Sequence, residues 1–318
     1  MSMELLAAHE TLVAERARPV HLRAGMTGGE AFIEVARSCM IRVCTNAQRL
    51  REGRNPEILH QLRVGLRRLR AAFTAFKLIL PGEAANRLTA EIKWVGKELD
   101  SARDIDVFIE DASRLTKSRD SDEPVSKEFG ERLRVTRTAN YERALKAVDS
   151  KRFAILLLDC AQWVETGSWR RSKDAGVVKL RDGDASALAA EALGHLSHQL
   201  RKKGKHLAAL KPAARHRARI KAKKLRYAAE FFDKLFGKHA QKQPSKFIDA
   251  LAELQDALGA LNDVTVARRT ACVAVGDNAA LAVRARQMMT VHDRNDSHLL
   301  AKAVRTYERW HRAKPFWR

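Results

Sequence analysis

Residues His60–Arg70 have the sequence HQLRVGLRRLR, and the same pattern returns 156 residues later at His216–Arg226 as HRARIKAKKLR. The histidine, four basic positions and two aliphatic positions agree between the two copies without a gap. Pro56 and Pro212 each precede the histidine by four residues, and a helix-breaking residue follows each histidine by 21. Two helices that begin and end in the same register indicate an internal duplication.

The duplication extends to both sides of these two motif helices. Asn55 suits an N-cap and Pro56 the first helical position, so the first motif helix is predicted from Pro56 to about Leu80. The second begins at Pro212 and is closed by Gly237. Further matched pairs are the predicted helices at residues 29–51 and 186–210, and the weaker match of residues 99–107 to 258–266.

The rest of the chain completes two halves of one domain. Further helices are predicted at residues 125–149 and 152–164, and residues 278–310 complete the second half. Residues 118–124 and 167–184, rich in Gly, Ser, Asp and Arg, are predicted to be loops. No strand pattern is convincing, so the fold class is all-α. A lead-in of residues 1–24 precedes a domain of residues 25–318, whose halves are about 25–167 and 185–318.

The strongest signal in the composition is charge. Sixty Lys and Arg residues against 38 Asp and Glu give a net charge of +22. Hydrophobic residues make up 45% of the chain, which indicates a folded protein and excludes a disordered basic tail. Self-repulsion of this size opposes compaction and favours an anionic partner. Nucleic acid, an acidic membrane surface and a phosphate polymer all qualify, and a generally basic soluble surface is the alternative.

Several other classes are disfavoured. The four cysteines are too few and too scattered for a disulfide scaffold, no secretory apolar region is found, and no apolar run reaches the roughly 20 residues of a membrane span. We therefore expect a cytoplasmic protein with reduced thiols, no membrane partner and no cofactor. Cys39 and Cys44 are expected to be small core residues. Histidine metal sites are disfavoured because no Cys or carboxylate completes a ligand set.

Each motif helix has a basic stripe that borders its apolar stripe. On a helical wheel with His60 at zero, Arg63, Arg67 and Arg70 fall between about 280° and 340°, beside an apolar arc at about 160° to 240°. A merely solvated face would usually lie opposite the core. Two such charges 4 Å apart cost about 4 kcal/mol at an effective dielectric near 20. Neighbouring carboxylates or a bound polyanion are therefore expected to offset the repulsion.

Basic residues of the motif helices and of the helices before them are the candidate ligands. Arginine offers phosphate a planar fork of donors, and lysine offers a flexible point charge. If the halves pack around a pseudo-twofold axis, the stripes converge on one central groove. The candidate binding residues are His60, Arg63, Arg67, Arg68, Arg70, His216, Arg219, Lys223, Lys224, Arg226, Arg42, Arg49, His198, Lys202 and Lys205.

Four more residues are assigned an orienting or structural role, namely Arg103, Asp104, Asp263 and Tyr227. A carboxylate in a basic environment can pair with arginines and orient them, and for the aspartates this is favoured over direct ligand contact. The two motif histidines either donate to phosphate or cap and pack their helices, and the sequence leaves both roles open.

At these motifs the sequence resembles the CHAD family, the conserved histidine α-helical domain. Supporting matches are Arg103–Val107, Leu254–Asp263 and the closing Lys314–Trp317. The resemblance extends from about Gly29 to Trp317. It implies two homologous four-helix bundles related by a pseudo-twofold axis, with a basic central pore or groove.

Members of that family bind inorganic polyphosphate, and some gather on polyphosphate granules. The resemblance implies that this chain is a non-catalytic polyphosphate-binding or granule-targeting module, that sulfate or phosphate ions mimic the ligand, and that granule association accompanies a cytoplasmic location. Many relatives have an N-terminal triphosphate-hydrolysing barrel, whose alternating Glu/Lys strands are not found here, which argues against hydrolysis.

The chain departs from the pattern where Asp100 replaces the counterpart of Gly259, and where lysines replace two arginines in the second motif, so the two walls are expected to differ. Two other functions are weighed. A nucleic-acid binder is disfavoured because the stripes have little aromatic interleaving and no recognised motif. A phosphate-transfer or hydrolytic enzyme is disfavoured because no glycine-rich phosphate loop and no acidic cluster for magnesium are found.

Overall fold

The computed structural model describes residues 14–15, 20–115, 124–236, 242–275 and 296–318. Within these ranges the regular elements are helices, and one isolated bridge joins Thr27 to Asp184. The predicted all-α class is therefore confirmed for the described residues. The α-helices are α1 Gly28–Glu52, α2 Pro56–Ala75, α3 Glu83–Leu115, α4 Pro124–Val148, α5 Lys151–Thr166, α6 Ala175–Asp182, α7 Ala185–Gly204, α8 Pro212–Phe232, α9 Lys242–Val275 and α10 Asp296–Arg312.

The helix starts follow local capping chemistry. Thr27 and Glu30 form a capping box at α1, in which the Thr27 hydroxyl accepts from the Glu30 amide at 3.2 Å and Glu30 accepts from the Thr27 amide at 2.8 Å. At α2 the Asn55 side chain accepts from the Glu57 amide at 2.8 Å, with Pro56 in the first turn. The predicted starts of both motif helices, at Pro56 and Pro212, are confirmed.

Residues 167–184 differ from the predicted loop, because they form a short 3-10 segment, Ser168–Arg171, and helix α6. Asp174 caps α6 by accepting from the Val177 amide at 2.9 Å, and the buried Trp169 and Val177 anchor this polar segment to the core. Of the other predicted loop, residues 118–123 lie outside the described residues. The closing helix was predicted at residues 278–310. Its second part contains α10, and its residues 278–295 lie outside the described residues.

Helix α7 ends earlier than predicted, at Gly204. The Tyr307 ring packs against Gly204 so closely that a Cβ there would lie 2.2 Å from a ring carbon. His206 then adopts a left-handed conformation with φ of 57°, which turns the chain into the short segment before α8.

Aromatic clusters fill the core of each half. Phe32 of α1 lies 5.2 Å from Trp169 and 6.0 Å from Phe73, measured between ring centroids. Phe76 and Phe232, which follow or end the two motif helices, meet at 5.1 Å and join the halves. Near the end of the chain the aromatic residues that pack together are Phe247, Trp310, Phe316 and Trp317.

The helix packing places the motif helices at the junction of the halves. Helix α1 packs on α2 and α2 on α3, while α7 packs on α8 and α8 on α9. Across the junction, α2 contacts α8 and α3 contacts α9. The starts of α1 and α7 also pair, because the Gly28 amide donates to the Gly183 carbonyl at 3.0 Å and the Ala185 amide donates to the Met26 carbonyl at 2.9 Å.

The cysteines differ from one another in burial. Cys39 is buried in the core, as expected, and burial raises the pKa of its thiol to about 11. Cys44 is exposed, contrary to the expectation, because it lies on the outer side of α1. Across the described ranges, no helix combines the length and apolarity needed to cross a membrane.

Candidate anion-binding cavity

A cavity of about 610 Å³ lies between α2 and α3 of the first half and α8 and α9 of the second. An adjoining pocket of about 240 Å³ shares the side chains of Arg63, Arg67, Arg219 and Lys223 with it. The two together are called the central cavity below. The Lys and Arg residues that line its larger part are Arg63, Arg67, Arg70, Lys93, Lys97, Arg219, Lys223 and Lys224, and the carboxylates there are Asp100 and Asp104.

Most of the residues singled out in the two motifs meet at this cavity. Besides the arginines and lysines just given, His216 and Tyr227 line the larger part, while His60, Arg103 and Asp263 line the adjoining pocket. The basic stripes of the two motif helices therefore face one common space. Their role toward a ligand stays a prediction.

The two walls are not equivalent. Arg63 donates to Asp100 at 2.5 Å, whereas Arg219 lies 4.0 Å from the nearest oxygen of Asp263. Gly259 stands in the second half where the first half has Asp100, and a Cβ there would lie 3.9 Å from the Arg219 guanidinium. The missing carboxylate leaves Arg219 more weakly neutralised than Arg63.

The cavity holds its cations at an energetic cost. Burial, together with repulsion from the neighbouring Arg67 and Arg219, lowers the pKa of Lys223 to about 7. Burial likewise lowers the pKa of Lys224, with further repulsion from Lys221 and Arg70. A bound anion would oppose each of these shifts, because it favours the charged form.

Two cavity arginines have buried donors without an acceptor. In the described part of the chain, Arg70 Nε and Arg219 Nε are shielded from solvent and have no hydrogen-bond partner. A buried donor left unpaired costs about 1–3 kcal/mol, and more when it belongs to a charged group. Both atoms belong to residues whose side chains line the cavity.

The motif histidines differ in environment. Burial and, to a smaller extent, the charge of Arg103 lower the pKa of His60 to about 4, so this imidazole is neutral at pH 7 and offers one N–H donor. His216 Nδ1 lies 2.7 Å from the Asn262 side-chain oxygen, which orients the ring at the cavity wall.

Arg68 and Arg226 do not line the cavity, which differs from the expectation. Arg68 donates to Glu230 at 2.6 Å, and Arg226 forms an ion pair with the same carboxylate at 2.9 Å. The Arg68 guanidinium also lies over the Tyr227 ring at 5.5 Å and the Phe231 ring at 4.9 Å. Glu230 was missed by sequence reasoning, since its role depends on a contact across the halves.

The candidates on α1 and α7 also lie away from the cavity, because α3 and α9 form its other walls. Arg42 is buried and donates to Gln61, and Arg49 lies 3.6 Å from Glu15. The remaining three are His198, which lines a separate pocket of about 350 Å³, and Lys202 and Lys205, which are exposed on the surface.

Lys93 and Lys97 line the cavity and were missed by sequence reasoning. They share one face of α3 with Asp100 and Asp104, because these positions are spaced by four, three and four residues. The same periodicity that identified the stripe on α2 would have found them. Among the residues that the structure describes, no group of three or more His, Cys, Asp or Glu side chains is placed to hold a metal ion.

Comparisons with known proteins agree with this fold. The CHAD domain family matches residues 34–272. The crystal structure of the CHAD domain from the plant Ricinus communis is similar with a TM-score of 0.78 and 28% identity, over 95% of this chain and 98% of that chain. PptA from Streptomyces chartreusis shares the fold with a TM-score of 0.64 and 17% identity, over 89% of this chain and 100% of that chain. No curated protein matched. The chain belongs to the CHAD domain family.

Proposed function

We propose that this protein binds inorganic polyphosphate in the central cavity and catalyses no reaction on it. The observation that carries the proposal is the convergence of both motif stripes on one space: Arg63, Arg67 and Arg70 face it from α2, and Arg219 and Lys223 from α8. This convergence supports a specific location for the anionic ligand that the net charge of +22 leads us to expect.

The chemistry of the lining suits a linear phosphate polymer. Eight Lys and Arg side chains against two Asp in the larger part leave a strong positive excess. Each charge-assisted hydrogen bond to phosphate contributes about 1.5–3 kcal/mol, so several convergent donors bind a repeating anion tightly. Screening by salt should weaken the binding steeply.

Nucleic acid fits this lining less well. The side chains of Arg63 and Arg219 are only 15% and 17% exposed, so they are recessed from any surface that a duplex could approach. Single-stranded nucleic acid is usually held by stacking on aromatic rings. The Tyr and Phe residues in the lining are Tyr227, which is 7% exposed and lies beside two arginines, and Phe108, which is 5% exposed.

We further propose that the halves form two homologous four-helix bundles related by a pseudo-twofold axis. Support comes from the matching order of α1–α2–α3 and α7–α8–α9 and from their matching contacts. The antiparallel bridge between Thr27 and Asp184 also joins equivalent points before α1 and α7. The central cavity would then lie at the bundle junction.

Titration calorimetry tests the binding proposal by comparing long-chain polyphosphate with duplex DNA at matched phosphate and salt. We expect polyphosphate to bind more tightly, and equal affinity or a preference for DNA would contradict the proposal. The decisive variant reverses the charges of Arg63, Arg67, Arg219 and Lys223. Its matched control reverses four exposed lysines that line none of the cavities described, namely Lys146, Lys151, Lys173 and Lys179.

We expect the cavity variant to lose polyphosphate binding and the control variant to retain most of it, although both lower the net charge equally. Binding that survives in the cavity variant, or that falls equally in both, would show that the site lies elsewhere or that overall charge is responsible. A circular dichroism spectrum of each variant reports whether its helices are intact.

The absence of catalysis is part of the proposal because the carboxylates of the cavity are engaged with arginines. Asp100 accepts from Arg63, and Asp263 lies beside Arg219. Orthophosphate release from polyphosphate in the presence of magnesium would contradict this part. We also propose that binding brings the protein to polyphosphate granules in the cytoplasm. A fluorescent fusion should colocalise with granules, and the four-residue cavity variant should not.

A further inference from the structure

A second basic cavity of about 980 Å³ opens between the end of α2, the start of α3 and the helices α7 and α8. It is called the lateral cavity below. Lys77, Lys221 and Lys224 lie in its wall, and Glu191 is the acidic residue of its lining. Lys224 also lines the central cavity, so one side chain borders both spaces.

The lysines of the lateral cavity repel one another and lack carboxylate partners. The charges of Lys221, Arg70 and Lys77 all lower the pKa of Lys224, after the larger effect of burial. Lys221 donates to the Gln199 side chain at 2.5 Å, and Gln199 in turn contacts His195. Among the described residues, none of the three lysines of this wall forms an ion pair. Their positive charge therefore remains available to a ligand.

The duplication shows that this polar wall is a departure from the plan of the other half. Counting back 156 residues, His195, Gln199 and Lys221 correspond to Cys39, Val43 and Gly65. Those three counterparts are buried in the core. A Cβ at Gly65 would lie 3.0 Å from a Val43 methyl group, so the first half is closed by tight apolar contact at this place.

The two other lysines of the wall, Lys224 and Lys77, also differ from their counterparts in the other half. The counterpart of Lys224 is neutralised by a carboxylate, and the counterpart of Lys77 has a negative charge. Lys224 corresponds to Arg68, which Glu230 binds at 2.6 Å. Lys77 corresponds to Asp233. The polar, positively charged cavity therefore exists on one side of the junction, where four of the five positions differ from their counterparts in the direction that suits an anion and Lys224 keeps the positive charge of Arg68.

We propose that a long polyphosphate passes Lys224, leaves the central cavity and continues along the lysines of the lateral cavity, so that the protein prefers chains long enough to fill both. This inference rests on the proposed function. In this proposal the lateral cavity extends the binding site and selects for the length of the polyphosphate chain. Tripolyphosphate occupies the central cavity alone, and a long chain gains further contacts with Lys77 and Lys221.

The test measures the affinities of tripolyphosphate and long-chain polyphosphate for the wild-type protein and two double variants. Lys77→Ala with Lys221→Ala removes charge from the lateral cavity only, and Lys146→Ala with Lys151→Ala is the matched control at exposed positions outside both cavities. We expect the lateral variant to bind long chains at least about tenfold more weakly, a change of about 1.4 kcal/mol, and tripolyphosphate as the wild type does. The control should change neither affinity by as much.

An equal loss for both ligands, or a long-chain affinity no lower than that of the control, would overturn the length-selecting role and leave polyphosphate binding in the central cavity intact. Failure of the proposed function looks different, because then the wild-type protein binds neither ligand. If orthophosphate competes at the lateral cavity without any effect of chain length, the cavity is a separate phosphate site and the extension is refuted.

Discussion

Replacing Lys223 by methionine should stabilise the unliganded protein while weakening its binding of polyphosphate. The lysine lies on α8 one turn after Arg219, and burial together with nearby arginines lowers its pKa from 10.5 to about 7. At pH 6 it is charged in both the folded and the unfolded chain. Each pH unit between the two pKa values corresponds to about 1.4 kcal/mol, which sets an upper limit of about 5 kcal/mol on the cost of folding with this charge.

Solvent in the open cavity screens part of this cost, so we expect the Lys223→Met variant to be more stable at pH 6 by about 1–3 kcal/mol. At roughly 2 °C per kcal/mol for a chain of this size, the Tm should rise by about 2–6 °C. The gain should shrink between pH 7 and pH 10.5, because there the folded wild type carries a neutral lysine. The methionine keeps most of the packing of the lysine stem, so the change isolates the charge.

Thermal unfolding followed by circular dichroism, with and without long-chain polyphosphate, measures both effects. Saturating polyphosphate should raise the Tm of the wild type more than that of Lys223→Met, because stabilisation by a ligand grows with affinity. Lys146→Met on the exposed face of α4 is the control and should stay within about 0.5 kcal/mol of the wild type. A variant less stable than the wild type at pH 6, or equally stabilised by polyphosphate, would refute the reasoning.

Three further outcomes are expected. Glu230→Gln should destabilise the protein by about 2–3 kcal/mol in urea unfolding, because it leaves two largely buried arginines without their shared carboxylate; an unchanged midpoint would contradict this. Asp100→Asn should release Arg63, lower the Tm of the unliganded protein and strengthen polyphosphate binding several-fold in calorimetry, whereas weaker binding would show that Asp100 orients its arginine productively. Polyphosphate affinity should fall as the pH rises from 7 to 9, with proton uptake on binding detected by calorimetry in two buffers, because the bound anion raises the pKa of Lys223.

The motif helices and their starts were predictable because the signals are local, whereas α2 and α8 end at Ala75 and Phe232, before the predicted Leu80 and Gly237, and a short 3-10 segment follows each. An N-cap asparagine, a proline at the first helical position and a 3.6-residue period need no knowledge of the partner helices. Those signals gave the correct starts of α2 and α8 and identified Arg63 and Arg219 as residues on a basic stripe that borders the core. Local signals also failed where tertiary packing dominates, as at residues 167–184, where a buried tryptophan and valine order a polar segment.

The helix that covers a given stripe was not predictable. Periodicity tells which residues of α2 share a face, but not which helix packs over that face. The sequence suggested α1 and α7 as the neighbours of the groove, whereas α3 and α9 line it. Arg42 and Arg49 therefore lie elsewhere, while Lys93 and Lys97 take part without having been singled out.

Equivalent positions in the two motifs also lie in different environments. This difference between the two halves of the site could not be predicted from the sequence. Arg68 and Lys224 occupy the same place in the repeat, yet Arg68 is tied to Glu230 and Lys224 borders two cavities. The cause is one residue, because the counterpart of Glu230 in the first half is Thr74, which has no charge to offer.

This asymmetry divides the basic residues of the repeat into two groups. The charge of one group is neutralised by a carboxylate within the fold, and the charge of the other group is left for the proposed ligand. Where a basic residue of the repeat is not needed at the cavity, a carboxylate neutralises it, as Glu230 does for Arg68 and Arg226. Where Gly259 stands in place of a carboxylate, the charge of Arg219 at the cavity wall is only weakly neutralised. Unbalanced charge is costly in a partly buried space, so its persistence around the central and lateral cavities identifies the positions where we propose that a polyanion supplies the balance.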